Sequence, residues 1–385
     1  MEELYQISVF DILSEPFKID KPVRLIELFA GIGSQAKALQ RLGVDYEHYR
    51  VCEFDKYAIK SYNAIHGTDF ATSDITELTA DDLGIVDTDK YCYIMTYSFP
   101  CQDLSLAGKQ KGMAKGENTR SGLLWEVERL LNECEHLPQV LLMENVTQVH
   151  GKKNKEHFDE WIKFLESKGY SNYWQDLNAK NFGIPQNRNR TFMISMLGDY
   201  TYEFPQEFPL KLRLKDKLEA NVDEKFYLDG KALECIEKRV GVYTKEPTCI
   251  QVGRLSGGKW DKLHDVSRRV YSAEAIAPTL HTCGGGNTEP KIAEPLALDE
   301  QNGYIRKCGT VGTLTTDGSS PKHNNRVIEG ERIRKLTPLE CYRLMGFDDE
   351  DFYKAQQFNS NSQLYKQAGN SIVVDVLYYI FKQMY

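Results

Sequence analysis

The segment Tyr97-Ser98-Phe99-Pro100-Cys101-Gln102 follows the apolar run Tyr91 to Met95 and opens into a loop rich in glycine and lysine. A thiol at the mouth of a strand, held by a preceding proline, is where an α/β enzyme keeps a nucleophile. Further on, a second apolar run ends in an acid, Val140-Leu141-Leu142-Met143-Glu144-Asn145-Val146. Two neighbouring strands ending in a cysteine and a glutamate would bring a nucleophile and a proton donor to one edge of a sheet. That pair suits addition to an electron-poor ring better than peptide hydrolysis, which wants a histidine base beside the thiol. The plainer readings are a buried structural thiol for Cys101 and a helix cap for Asn145. The polar loop after Pro100 weighs against the first.

The elements that must position these groups alternate from Pro22 onward. A buried strand over 23–29 leads through Gly31-Ile32-Gly33 into a helix over 34–42, and a second strand at 49–53 leads into a helix over 56–65. Strands at 91–97 and 139–143 flank the Cys101 loop and a helix over 122–134. A helix over 157–168 precedes strands near 173–177 and 191–197. Such alternation predicts an α/β fold with a parallel-type sheet covered on both faces. Residues 1–21 read as a short extension. From 201 to 330 the texture is irregular and rich in Gly, Thr and Asn, which predicts a smaller, β-rich module. From Arg334 regular structure resumes, with a Thr337-Pro338 helix start and an apolar closing helix over 372–384 that packs back on the first domain.

Composition narrows the class. The net charge of −8 offers nothing in favour of nucleic acid, but charge is unevenly placed. The Cys101 loop carries Lys109, Lys111, Lys115 and Arg120, with Glu117 the acid in its middle. A solvated face is the bland reading of such a cluster. The nine cysteines are scattered without CxxC pairs, so neither a disulfide framework nor a metal site is predicted. No apolar run spans a bilayer and the acidic N-terminus has no leader pattern, which predicts a cytoplasmic protein away from membranes.

Gly31-Ile32-Gly33-Ser34-Gln35-Ala36 fits the G-x-G-x-x-G/A fingerprint between strand and helix, with Glu53 suitably placed to bond a ribose. Taken alone it describes a nicotinamide dehydrogenase equally well. A dehydrogenase gives no reason for a strand-end cysteine, or for Asn370-Ser371 near the C-terminus.

Taken in order, the segments resemble the DNA cytosine-5 methyltransferase family of bacterial and phage type. The matching pieces are Phe29-Ala30-Gly31-Ile32-Gly33, Glu53-Phe54-Asp55, Ser73-Asp74-Ile75, Phe99-Pro100-Cys101-Gln102, Glu144-Asn145-Val146, Gln186-Asn187-Arg188-Asn189-Arg190, Arg334-Lys335-Leu336-Thr337-Pro338 and Gly369-Asn370-Ser371. The stretch from Ser98 to Arg129 is similar to the CpG-type bacterial members. The resemblance implies a Rossmann-like S-adenosylmethionine-dependent sheet at 22–200, completed by a return segment at 331–385, with a target-recognition domain at 201–330.

Carried over by position, the resemblance implies that Phe29, Gly31, Gly33, Glu53, Phe54, Asp74, Ile75, Leu124, Asn370 and Ser371 form the S-adenosylmethionine pocket. Pro100 would border the cofactor and shape the base pocket with the Phe99 main chain. Cys101 would be the nucleophile, Glu144 would bind the cytosine N3 and amine, Arg190 would bind the carbonyl oxygen, and Arg188 would support the loop and acid. Gln102, Ser105 and Lys109 would meet double-stranded DNA from the mobile loop, with Arg269, Thr279 and Leu280 on the recognition side. A second Thr-Leu pair, Thr313-Leu314, leaves open which one faces the target. Asp55 reads as a helix cap rather than a ligand.

The implied enzyme is a DNA (cytosine-5-)-methyltransferase of restriction-modification or phage type that flips its base and acts as a monomer; whether a cognate endonuclease acts separately beside it is left open. The host would be a bacterium or a phage-infected cell. The competing readings are a tRNA cytosine-5 methyltransferase, a catalytically silent DNA-binding relative and, in another class, a nicotinamide oxidoreductase. The large irregular module favours duplex DNA, and the filled catalytic positions argue against a silent relative.

Overall fold

Val23–Leu28 (β1) carries apolar side chains on both of its faces, as a strand covered on both sides requires. The computed structural model describes residues 15–100, 104, 120–230, 234, 236–238, 247–282, 288–299, 304–306 and 326–385. With β1, the strands β2 (Tyr46–Cys52), β3 (Cys92–Tyr97), β4 (Val140–Asn145), β5 (Tyr170–Asn178) and β6 (Asn189–Leu197) form one sheet in the order β2-β1-β3-β4-β6-β5. The chain steps from β1 to β2 on one side and returns to β3 on the other. Between β1 and β3 lies the topological switch point, where open α/β sheets leave a crevice beyond the carboxyl ends of the strands.

Strands β2, β1, β3 and β4 are parallel, as expected. Within this parallel-type sheet β6 alone is reversed, running antiparallel to both β4 and β5. Only residues 179–188 connect β5 to β6, too few for the helical crossover that parallel neighbours need. The reversal brings the start of β6 to the edge at which β4 ends.

Helices cover both faces. Val127 and Leu130 of α3 (Leu124–Glu133) and Phe158 and Trp161 of α4 (Lys155–Ser167) share one core with Ile26, Leu28, Met95 and Met143. On the other face, Glu27 meets Ala36 of α1 (Ser34–Leu42) and Tyr62 of α2 (Lys56–His66). The closing helix, Val374–Lys382, packs on α1, with Arg41 and Asp375 paired at 3.3 Å. The cap of α2 is Asp55, whose carboxylate accepts from the Tyr57 N–H at 2.9 Å.

By its internal contacts the chain divides into two compact units, one of residues 1–178, 189–207 and 371–385 and one of 179–188 and 208–370. The first holds the sheet just described. In the second, β7 (Ile236–Lys238), β8 (Gln251–Leu255), β9 (Arg269–Ser272), β10 (Lys291–Asp299) and β11 (Tyr304–Arg306) form a sheet in the order β11-β10-β9-β8-β7, and β12 (Arg326–Lys335) also pairs with β10. Residues 331–370, read from sequence as part of the return, group with this unit. The segment contains a helix at Pro338–Leu344 that begins with a Thr337–Glu340 capping box, and further helices at Asp349–Gln356 and Asn361–Asn370. Arg334 is fully buried between Glu340 at 2.7 Å and Glu294 at 2.5 Å, which locks β12 to that first helix.

Glu27 is an acid in an apolar strand. It accepts hydrogen bonds from the Tyr62 hydroxyl and the Ala36 N–H, and Tyr62 in turn meets His48 Nδ1 at 2.8 Å. Burial pushes the Glu27 carboxyl up to about 7 from 4.5, against the weaker pull of those two donors. Burial, aided by His48, pushes His66, which packs against the Tyr62 ring, down to about 3. As pH rises from 4.5 through 7 the fold retains a proton that the unfolded chain has released, so the stability supplied by Glu27 is lost over that window. His66 acts oppositely, costing stability as pH falls below 6.5. A Glu27→Gln variant isolates the first effect. Its urea stability relative to wild type should improve by about 3 kcal/mol between pH 4.5 and 8, and a difference constant with pH would contradict the assignment.

Candidate active site

At the end of β1 the backbone turns sharply. Phe29, Gly31 and Gly33 take φ of 59°, 58° and 80°, and the Ala30 N–H donates to the Cys52 carbonyl at 3.1 Å. The two glycines serve different ends. A methyl group at Gly33 would lie 2.2 Å from His66 Nε2 and 2.7 Å from the Tyr62 ring, so glycine lets α1 begin against α2. A methyl group at Gly31 would meet nothing within 4 Å. Its backbone fronts open space, as a turn that receives a ligand must.

Glu53 follows β2 directly. Its carboxylate accepts from the Gly31 N–H at 2.9 Å and the Asp55 N–H at 2.8 Å, so the acid and the glycine turn are held as one piece. Phe54 beside it is 75% exposed, so its ring is open to a ligand at this edge. The Ser73 N–H donates to the Glu53 carbonyl at 3.0 Å, which carries Asp74 and the buried Ile75 to the same place. Arg129 of α3 fixes that segment by donating to the carbonyls of Ile75 at 3.1 Å and Leu78 at 2.8 Å. Leu124 opens α3 and sits in the same core as Ile75 and Phe99. Of the remaining cofactor candidates, Ser371 is buried in the first unit, and Asn370 is the exposed last residue of the helix Asn361–Asn370 in the second.

The second half of the site is built where β3, β4 and β6 meet. Asn145 donates to the Phe99 carbonyl at 3.0 Å and accepts from the Val146 N–H at 2.8 Å. Ser121 donates to the Pro100 carbonyl at 2.8 Å. The two carbonyls that precede Cys101 in the chain are therefore both clamped. Cys101, Gln102, Ser105 and Lys109 lie outside the described residues. Glu144, the penultimate residue of β4, has a side chain 10% exposed, and Arg190, 16% exposed, meets it at 3.2 Å. Their neighbours Glu144–Phe192 and Asn145–Thr191 are paired in register, which aims both charged groups at one edge.

Arg188, two residues before Arg190, is buried in the second unit and donates to the carbonyls of Leu280 and Gly369, each at 3.1 Å. Thr279 donates to the Asn187 carbonyl at 2.5 Å, and Leu280 is buried. Thr313-Leu314 lies outside the described residues. Arg269 is bound by Asp265 at 2.5 Å, an acid that also holds Arg254 at 2.8 Å. Sequence reasoning missed the clamps made by Ser121 and Asn145. Asn145 was visible beside Glu144 but read as a cap, whereas Ser121 left no signal beyond a small polar residue before a helix.

The model of the family described as C-5 cytosine-specific DNA methylase matches residues 23–385. The chain belongs to the C-5 cytosine-specific DNA methylase family. Among its relatives, the orphan methyltransferase M.SPBetaI of Bacillus phage SPbeta is 32% identical, over 94% of this chain and 97% of its own. The type II methyltransferase M2.ScrFI of Lactococcus lactis subsp. cremoris is 33% identical, over 94% and 99%. The type II methyltransferase M.HhaI of Haemophilus parahaemolyticus is 32% identical, over 93% of each. In fold, the chain is similar to the Schizosaccharomyces pombe Dnmt2 methyltransferase, at 20% identity and a TM-score of 0.62 over 94% of this chain and 98% of that one. As a DNA cytosine-5 methyltransferase, this chain acts on DNA, and S-adenosylmethionine is the methyl donor its family implies. No helix among the described residues is long and apolar enough to cross a membrane.

The contrast between the two glycines can be measured. Gly31→Ala should cost about 1–2 kcal/mol, the strain of positive φ alone, whereas Gly33→Ala should cost clearly more because its methyl group collides with Tyr62 and His66. Gly31→Ala should also weaken binding of S-adenosylhomocysteine. Equal losses in urea denaturation would contradict this division of roles.

Proposed function

We propose that this methyltransferase adds a methyl group to carbon 5 of a cytosine flipped out of duplex DNA, through a covalent adduct with Cys101. The observation that carries the reading is the Glu144–Arg190 pair, which lies at one sheet edge with the clamped Phe99 and Pro100 carbonyls. Carbon 5 of cytosine is a weak nucleophile. Addition of the Cys101 thiolate at carbon 6 breaks the ring's aromaticity and moves the electron pair towards carbon 5 and N3. Glu144 donates a proton at N3 and accepts from the exocyclic amine, while Arg190 donates to the carbonyl oxygen. A base arriving between the two groups loosens their ion pair and favours the protonated acid. After the methyl group is in place, the carbon 5 proton leaves and the thiol is expelled, restoring the ring. None of these atoms is reachable in a stacked duplex, so the base must be extruded.

The open face of Gly31, the pinned Glu53 carboxylate and the exposed Phe54 ring suit S-adenosylmethionine. When bound, it supplies an electrophilic methyl group. Glu53 would hold the ribose hydroxyls, Phe54 would lie against the adenine, and Asp74 and Ile75 would meet its edge. Leu124, Pro100, Asn370 and Ser371 complete the set. Sequence recognition belongs to residues 201–330, with Arg269, Thr279 and Leu280 towards the DNA. The anchoring of Thr279 to Asn187 favours this pair as the one at the flipped nucleotide. The enzyme would act as a monomer in the cytoplasm, with any cognate endonuclease acting separately.

A duplex in which cytosine is replaced by 5-fluorocytosine tests the chemistry, because fluorine cannot leave as the proton does. Wild type with S-adenosylmethionine should form an adduct stable to detergent, and Cys101→Ala should form none while still shifting duplex DNA. An adduct on Cys101→Ala would remove Cys101 as the nucleophile. Methyl transfer to tRNA in preference to duplex DNA would overturn the substrate.

A further inference from the structure

The glycine turn after β1 is held twice, each time by a different element. Glu53, after β2, accepts from the Gly31 N–H. The second hold comes from His66, the last residue of α2, whose Nε2 lies 3.1 Å from the Ile32 carbonyl oxygen. A carbonyl can only accept, so Nε2 carries the proton of the imidazole. A histidine in the last turn of a helix usually reads as a cation favoured by the negative end of the helix dipole. Burial, with His48 adding to it, keeps this ring neutral down to about pH 3, which removes that reading. The ring is confined instead, with the Tyr62 ring at 4.6 Å and the His48 ring at 5.1 Å.

Ile32 is buried and stands between Gly31 and Gly33, both in the left-handed backbone conformation. Glycine on each side gives the Ile32 peptide wide conformational freedom, and the His66 donor takes it away. The start of α1 is fixed from α2 as well. Its N-cap, Gly33, has no side chain, and its Ala36 N–H donates to Glu27, which Tyr62 holds. Tyr62 and His66 stand one helical turn apart on one face, so α2 orders both the turn and the helix that follows it. We infer that His66 is a positioning residue: through its Nε2–H it sets the Gly31–Gly33 turn in the shape that the methyl donor binds. The inference rests on the proposed reading, which puts S-adenosylmethionine on the open face of Gly31. His66 acts through the Ile32 carbonyl, and a turn ordered in advance spares the ligand the cost of ordering it. All of these residues belong to the first unit.

The test compares two substitutions in the full chain, read by calorimetry with S-adenosylhomocysteine. His66→Phe keeps a ring between Tyr62 and His48 but donates nothing. His66→Gln gives up the ring and keeps an N–H donor for the Ile32 carbonyl. His66→Phe should weaken S-adenosylhomocysteine about fivefold and raise KM for S-adenosylmethionine to match, with kcat unchanged. His66→Gln should stay within about twofold of wild type. A side chain that only fills space predicts the reverse order. His66→Met, which fills the space without a donor, takes the place of His66→Phe where that variant fails to fold. Wild-type affinity in His66→Phe or His66→Met, or an equal loss in His66→Gln, overturns the inference. A wild type that binds no S-adenosylhomocysteine overturns instead the cofactor assignment beneath it.

Discussion

The ion pair between Glu144 and Arg190 exists because β6 runs against β4. Were β6 parallel, its first residues would lie at the opposite edge, and an arginine there would have no acid to meet. The short connection from β5 forces the reversal, and the register Glu144–Phe192 then brings the two charges together at 3.2 Å. Two charged groups at 10% and 16% exposure are costly to desolvate, and apolar residues of similar size would serve stability as well. A binding pocket is the better reason for keeping them. A polar base edge entering such a pocket finds a carboxyl group and a guanidinium already aimed at one edge.

The same edge carries the other half of the machinery, again through backbone constraints. The glycine turn after β1 and the acid after β2 are joined by the hydrogen bond from Gly31 to Glu53, so a nucleoside would meet a preset surface. The Phe99 and Pro100 carbonyls are tied to Asn145 and Ser121, so the chain enters the Cys101 loop from a fixed point.

Much of this was legible in the sequence. The strand-end positions of Glu53 and Glu144, the glycine turn and the order of the motifs follow from hydrophobic runs broken by polar residues at a sheet edge. The direction of β6 was not legible, since a nine-residue strand reads the same in either orientation. The helices Asp349–Gln356 and Asn361–Asn370 also escaped, because their apolar residues are few and no long stripe marks them. Arg188 and Arg190 stand two apart and look equivalent on paper. Yet one meets Glu144 and the other reaches Leu280 and Gly369, because the strand begins between them, at Asn189. Glu27 gave no sign of its buried partners, as Tyr62 lies on a separate element and only folding brings the two together.

Bisulfite sequencing of a plasmid incubated with the protein and S-adenosylmethionine tests the account most directly. Protected cytosines that share one short context, and that vanish when Glu144 is changed to Ala, are the predicted result. Unprotected DNA from a preparation that binds S-adenosylhomocysteine, or protection that survives the loss of Glu144, would contradict it.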